Sequence, residues 1–415
     1  MPATGDDAPF LRSILAAYGD DGPRLLYADY LEESPDPSDQ ARAEFIRLQL
    51  ALGAISEDHP RRKELTSRQN NILVRYHGPW TAHLHGLAAG FQFRRGLLDS
   101  VAVDAAMFLA KGEELFRRAP IRRVKLNDAA RHMAKLAACP HFARVRELDF
   151  CGNDLGNGGI NIFARSQHLL RLEQLDLSHN GLDAGALEIL AEVANVPRLR
   201  ALGLHGNPKL GDSGTNSLAP LRKLEGLRRL DLSGNDLDGS AFAAILEGDP
   251  LPALHTLILH GNHFGDDGLT ALAEAPILSR MLGRQPRLDL RQNQIGPHGM
   301  AALLRSRKIA PLISLDLAGN SLGDGGVHAL TLSPFLRKLR RLVLAQNRLG
   351  DWGAIALSRS PLMKQLEFLD VSQNAITQTG IDALFAERKN FDTAIDFDGN
   401  FAGVTGGRQT RNHCE

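Results

Sequence analysis

Few side chains in this sequence have types and spacing suited to chemistry. Cys139-Pro-His141 and the group His77, His83 and His85 are the His/Cys groupings that bear weighing as metal ligands. Neither has the paired spacing of a zinc site, so no metal is expected. Cys151 is a nucleophile only if neighbouring cations lower its pKa and solvent reaches it. It falls at an outward position just after a strand, where simple substitution at a variable site also accounts for it. The sequence has no Walker-type phosphate loop, no His-Glu-x-x-His helix and no Gly-x-Ser-x-Gly elbow. No catalytic residue and no cofactor is expected, and the chain reads as a non-enzyme.

Charge, by contrast, recurs in a pattern. The middle position of successive Leu-x-Leu phrases is Asp149, Asp176, Gly203, Asp231, Ile258, Asp289, Asp316, Val343 and Asp370. One residue before the second leucine of the phrase stand Arg229, Arg287 and Arg341. In a strand these positions point away from the leucines. The resulting face alternates acid and base and suits a protein partner of patterned charge. An equally direct reading is that the aspartates only keep the face soluble. Neighbouring like charges repel modestly, and Gly203, Ile258 and Val343 interrupt the column. His179, His205 and His260 lie just after the strands. The last two are two repeats apart, too far to share a metal by strand spacing, and all three read as variable surface residues.

What positions these groups is a ladder of asparagines: Asn153, Asn180, Asn207, Asn235, Asn262, Asn293, Asn320, Asn347, Asn374 and Asn400. By subtraction the gaps are 26 to 28 residues, with one of 31. A fixed period of this size means stacked supersecondary units. Each Asn closes one phrase, as in Leu227-Arg-Arg-Leu230-Asp-Leu232-Ser-Gly-Asn235. The alternation of apolar and polar residues predicts a short strand. A carboxamide at its end is placed to satisfy backbone groups of its own turn and the next one. Two residues further comes an apolar residue (Leu155, Leu182, Leu237, Phe264, Ile295, Leu322, Leu349, Ile376), and ten residues beyond the Asn another. Asp266, Asp324 and Asp351 read as N-caps of the helix between. The unit is strand, turn, helix, loop.

This pattern resembles the leucine-rich repeat in its long ribonuclease-inhibitor-like form, from roughly Leu98 to Asn400. The resemblance implies an α/β right-handed horseshoe solenoid, with parallel strands concave and helices convex. Two departures stand out. Ala129 occupies the Asn position of the first phrase, Ile121-Arg-Arg-Val124-Lys-Leu126, which predicts an atypical cap. The long gap around Leu278 to Arg284 predicts a bulging loop.

The first 90 residues differ. Asp20 to Glu33 reads as a helix with a stripe of Leu26, Tyr27, Tyr30 and Leu31. Further helices are predicted from Ala41 to Leu50 and from about Arg61 to Tyr76. The phrases Pro23-Arg-Leu-Leu-Tyr-Ala-Asp-Tyr-Leu-Glu-Glu33 and Arg42-Ala-Glu-Phe-Ile-Arg-Leu-Gln-Leu-Ala-Leu52 resemble the bacterial repeat-companion domain, although Tyr30 replaces its usual Trp. That resemblance implies a small α-helical domain over 1–90 ahead of a solenoid over 91–400, and it adds no activity. Residues 401–415 have little to pack and are expected to be disordered.

The sequence has 48 basic and 48 acidic residues. Nucleic-acid binding usually shows a basic excess, so no nucleic-acid partner is expected. No apolar run is long enough to span a bilayer, and the first residues lack the basic and apolar regions of a signal peptide. Three cysteines form no disulfide framework and suit a cytoplasmic setting. The expected function is a non-catalytic scaffold that binds a protein partner on the concave face. The alternative is a regulator of a GTPase, by fold-level similarity to the Ran GTPase-activating proteins.

Overall fold

The computed structural model describes residues 7–55, 59–192, 196–212, 218–249, 251–386 and 393–400. The tail 401–415, expected to be disordered, lies outside them. The chain forms two compact units. One contains Met1–Asn153, Arg165–Asp176 and Asn195–Arg198; the other contains Asp154–Ala164, Leu177–Ala194 and Leu199–Glu415.

The first unit opens with four helices, Ala8–Ala16, Gly22–Glu32, Pro37–Ala54 and Arg62–Thr81. Asp36 starts the third, its carboxylate accepting the Ser38 amide at 2.8 Å with Pro37 at the first helical position. The helix Ala8–Ala16 was not anticipated from the sequence, and the fourth helix continues through Pro79. The expected stripe on the second helix also shifts. Tyr27 and Leu31 are buried, but Leu26 is 63% and Tyr30 39% exposed. The buried face is instead Arg24, Tyr27, Ala28 and Leu31, a spacing of three, four and seven residues. Inside, the Arg24 Nη1 donates to the carbonyls of Tyr18 at 2.8 Å and Asp20 at 2.9 Å and the guanidinium lies 4.5 Å from the Tyr18 ring, while Nε and Nη2 find no partner among the described residues.

These helices are followed by an antiparallel hairpin, Ala89–Arg94 with Leu97–Asp104. Its turn, Arg95-Gly96, has positive φ at both residues, as a two-residue hairpin favours. A Cβ on Gly96 would lie 2.6 Å from Ile46 Cα, so only glycine lets the helix Pro37–Ala54 come this close. The second hairpin strand then pairs in parallel with Arg123–Asn127, followed by Glu147–Asp149 and Gln174–Asp176.

The second unit repeats three-residue strands joined in parallel. Ala201–Gly203, Arg229–Asp231 and Thr256–Ile258 form one series; Arg287–Asp289, Ser314–Asp316, Arg341–Val343, Phe368–Asp370 and Ala394–Asp396 form another. The central leucines are buried throughout, as are the apolar residues two and ten positions beyond each Asn from Leu155 to Leu384. Burying one such side chain contributes on the order of 2 kcal/mol, so the stacked apolar edges hold the repeats together.

The asparagines bind backward along the chain, not forward as the sequence suggested. Asn320 Nδ2 donates to Leu290 O at 2.9 Å and Leu317 O at 2.8 Å, while its Oδ1 accepts from Asn293 N at 3.0 Å and Ile295 N at 2.9 Å. Asn207, Asn262 and Asn374 repeat this arrangement. Asn153 serves the first phrase in the same way. Its Oδ1 accepts from Ala129 N at 2.7 Å, the bond that Asn293 N makes to Asn320 further on.

The aspartates expected to cap their own helices cap the next one instead. Asp266 Oδ1 accepts Gly296 N at 2.7 Å, Asp324 Oδ1 accepts Gly350 N at 2.8 Å, and Asp351 Oδ1 accepts Thr377 N at 2.8 Å. Each sits inside its own first helical turn. From there the carboxylate reaches the neighbouring helix start, where backbone amides are unsatisfied.

The segment expected to bulge as a loop is a helix, Pro276–Arg284, with Ile277, Leu278, Met281 and Leu282 buried. Arg280 pins it by a two-pronged contact to Asp249, at 2.7 and 2.6 Å, and by bonds to the carbonyls of Leu254 and Leu251. The asparagine ladder slips at the same place. Asn293 Oδ1 is buried with no partner among the described residues, although Gly261 N still reaches Arg291 O at 3.0 Å.

Candidate binding surface on the strand face

The short strands bury their middle apolar residue and leave the flanking positions toward solvent, except that Val343 is buried. The aspartate column stands there half-buried, and most of it has a local task. Asp149 accepts the amide of Cys151 at 2.9 Å, Asp231 that of Ser233 at 3.0 Å, Asp289 that of Arg291 at 3.2 Å, Asp316 that of Ala318 at 3.1 Å and Asp370 that of Ser372 at 2.9 Å. These carboxylates close the turn that leads into each ladder asparagine, a familiar use of Asp two residues before a free amide. One oxygen is committed to the backbone in each case. Asp396 makes the same contact at 3.4 Å and extends the column one repeat beyond what the sequence singled out. The signal was present in Ile395-Asp396-Phe397, where other apolar residues replace leucine.

Burial, reinforced by Asp289, raises the Asp316 carboxyl above its ordinary value, against the Ala318 amide and the cations Arg291 and Arg341. Asp289 is itself paired with Arg291 at 2.8 Å, a cation the sequence did not single out. Arg229, Arg287 and Arg341 are exposed. Arg287 and Arg341 both stand in register with Ser314, and the Arg341 guanidinium lies 3.9 Å above the Phe368 ring. In the second unit the strand face therefore carries a row of exposed arginine one step before a row of half-buried aspartate. Asp149 and Asp176 hold the equivalent positions in the first unit.

The remaining candidates fare differently. Cys151 is half-buried, and burial, Asp176 and Asp149 all raise its thiol pKa, with Lys125 the opposing charge. That is the reverse of an activated thiol. Cys139 is buried and its pKa is likewise raised by burial. His141 packs against Phe108 and lies 3.8 Å from Glu113. His77 and His85 lie against Phe91, whereas both ring nitrogens of His83 are buried without a partner among the described residues. Burial lowers the His83 pKa to about 4, so the ring is neutral at pH 7. His179, His205 and His260 converge more than strand spacing suggested. Ring centroids are 4.7 Å apart for His179 and His205, and 6.3 Å for His205 and His260. The His179 ring reaches over Gly206 and the His205 ring over Gly234, each one repeat further on. No group of three or more His, Cys, Asp or Glu residues suited to a metal ion occurs among the described residues. No helix among them is long and apolar enough to cross a membrane.

A short strand, an asparagine turn and a helix at this period define leucine-rich repeats. The leucine-rich repeat family model matches residues 252–273, 287–304, 310–330, 335–358 and 364–385, so the chain carries such repeats over this stretch. Among solved structures the chain is similar to an internalin (inlF) from Listeria monocytogenes, with 17% identity, TM-score 0.42, and 88% of this chain and 98% of that chain covered. It is also similar to a chain of the yeast Rad7 and Elc1 complex (17% identity, TM-score 0.41, 89% and 90% covered). A third is a chain of the TLR13–ssRNA13 complex, with 18% identity, TM-score 0.39, and 73% and 50% covered. No curated protein matches the chain.

Proposed function

We propose that this chain is a non-catalytic, cytoplasmic scaffold that binds a protein partner on the strand face of its repeats. On this reading the repeats are of the long ribonuclease-inhibitor-like form, in a right-handed horseshoe whose inner face bears the strands. A bacterial repeat-companion domain over 1–90 precedes a solenoid over 91–400. The observation that carries the function is the doubled charge row of the second unit. Exposed Arg229, Arg287 and Arg341 stand beside Asp231, Asp289, Asp316 and Asp370, whose backbone bonds hold the carboxylates in place. Fixed charge of alternating sign selects a partner by complementarity and costs little reorganisation on binding. The raised thiol pKa values of Cys139 and Cys151 and the leucine-rich repeats at 252–385 support the same reading.

The test reverses the row. The full chain and a variant carrying R229E, D231R, R287E and D289R are passed through an extract of the source cells, and retained proteins are compared. The variant is expected to lose a partner that the unaltered chain holds. Retention of every partner overturns the proposal.

A further inference from the structure

On the helical side of the second unit, the helices Gly323–Leu332 and Asp351–Ser358 enclose a groove of about 610 Å³. Two of its lining residues are large, apolar and in solvent: Trp352 is 80% exposed and Leu332 69%. Half-buried Ile355 also lines it.

The repeat itself supplies the control. Five residues beyond the ladder asparagine, other repeats carry Gly158, Gly185, Ser240, Asp267 or Thr379 where this one carries Trp352. Eight residues beyond, Asn161, Glu188, Thr270 and Asp382 correspond to Ile355. Twelve residues beyond, Glu192, Glu247, Glu274 and Arg305 correspond to Leu332. Three outward columns that are small or polar elsewhere thus turn apolar at the same spot, across two adjacent repeats. Drift at single surface sites would scatter such changes. Contiguous exposed apolar area on a soluble fold marks a contact surface.

Charge indicates what covers it. Arg359 continues the outward stripe of Trp352 and Ile355 by one further turn. It is exposed and pairs with no carboxylate among the described residues. His328 is exposed on the facing helix. The one acid in the lining, Asp324, has Oδ1 committed to Gly350 N. The groove therefore offers an apolar floor and an unanswered cation.

We propose that this groove docks a protein segment carrying an apolar anchor side chain with a carboxylate within one helical turn of it. The volume falls in the range of roughly 300–1,000 Å³ typical of ligand sites, and an apolar face laid into a groove is a common mode of peptide recognition. This surface is separate from the strand face and does not depend on the reading given to it.

A random peptide library displayed on phage is selected against the immobilised full chain, with counter-selection on a Trp352→Ser, Leu332→Ser double variant. Enriched peptides are expected to share an aromatic or aliphatic anchor with Asp or Glu within four residues. A synthetic peptide of that sequence should shift Trp352 emission to the blue. The other tryptophan, Trp80, is buried and should not respond. Arg359→Glu should weaken binding at least tenfold, and replacing the peptide acid with Lys should restore binding to that variant. Both serine substitutions and Arg359→Glu fall on outward side chains, so unchanged thermal melts are expected. Arg359→Glu alone carries the test if the double variant melts early. The proposal is overturned if no enriched peptide depends on the groove or if enriched peptides lack the acid. It is equally overturned if the chain dimerises through Trp352, as judged by sedimentation of the double variant, or if the emission shift is produced by anionic phospholipid vesicles instead.

Discussion

Asp351 holds Thr377 by two bonds across consecutive repeats: its Oδ1 accepts the Thr377 amide at 2.8 Å and its Oδ2 the hydroxyl at 2.6 Å. The same Oδ1 also takes Gly380 N at 3.1 Å. One carboxylate thus starts the helix of the following unit. Asp351→Ala should cost about 3 kcal/mol in urea unfolding, at about 1 kcal/mol for each of the three lost bonds. Thr377→Ala, which removes only the hydroxyl, should cost about a third as much. Equal losses from both substitutions would show that the amide contact contributes nothing.

The ladder predicts unequal losses at positions that look equivalent in sequence. Asn320 bridges two units with four bonds shorter than 3.1 Å. Asn293 has its Oδ1 unpartnered. Asn320→Ala should destabilise by on the order of 3 kcal/mol, since it strands several buried backbone groups. Asn293→Ala should cost clearly less. Matched unfolding curves for the two variants decide the point.

Arg280 should give acid stability a particular shape. Its hydrogen bonds to Asp249 lower that carboxyl's pKa, against a smaller opposing effect of burial. A depressed folded pKa contributes stability that is present above the unfolded carboxylate value, about 3.9, and is lost as pH falls through the lower folded value. The stability difference between the unaltered chain and Arg280→Met should be constant at neutral pH and shrink below about pH 4. A difference that widens in acid would contradict the assignment.

Cys151 should react sluggishly. Burial and the charges of Asp176 and Asp149 disfavour its thiolate. Iodoacetamide at pH 7.4 should label it more slowly than free glutathione. Asp149→Asn should speed labelling several-fold, because an amide oxygen can still accept the Cys151 amide while the charge is gone. Labelling as fast as glutathione in the unaltered chain would refute this.

The period, the buried leucines and the strand positions could all be read from the order of residues, because each is fixed by local alternation and repeated at a constant interval. The partner of each polar group could not. Asp266 and Asp324 stand at the start of a helix in sequence, and nothing local distinguishes capping that helix from capping the next. The same holds for the ladder carboxamides, whose bonds run to the unit before. The helix Pro276–Arg284 was hidden because its apolar spacing is short and its anchor, Asp249, lies a full unit away in sequence. At the strand face the column of aspartates was visible in the chain. Their turn-closing bonds, the pairing of Arg291 with Asp289 and the convergence of the three histidines needed coordinates. So did the groove at Trp352, because the offsets from the ladder asparagine do not say which side chains stay in solvent or line one groove.

The backward reach of the asparagines gives the array a one-way dependence. Asn374 Oδ1 receives the amides of Asn347 and Leu349, and Asn400 Oδ1 in turn receives that of Ile376. Of the ladder's bonds, peeling away the last turn would bare backbone amides and a carbonyl of the one before it, whereas losing an early repeat bares only an asparagine side chain, its Nδ2 and Oδ1, which can turn to water. Melting should therefore travel from high residue numbers toward low, like a zip with a single slider.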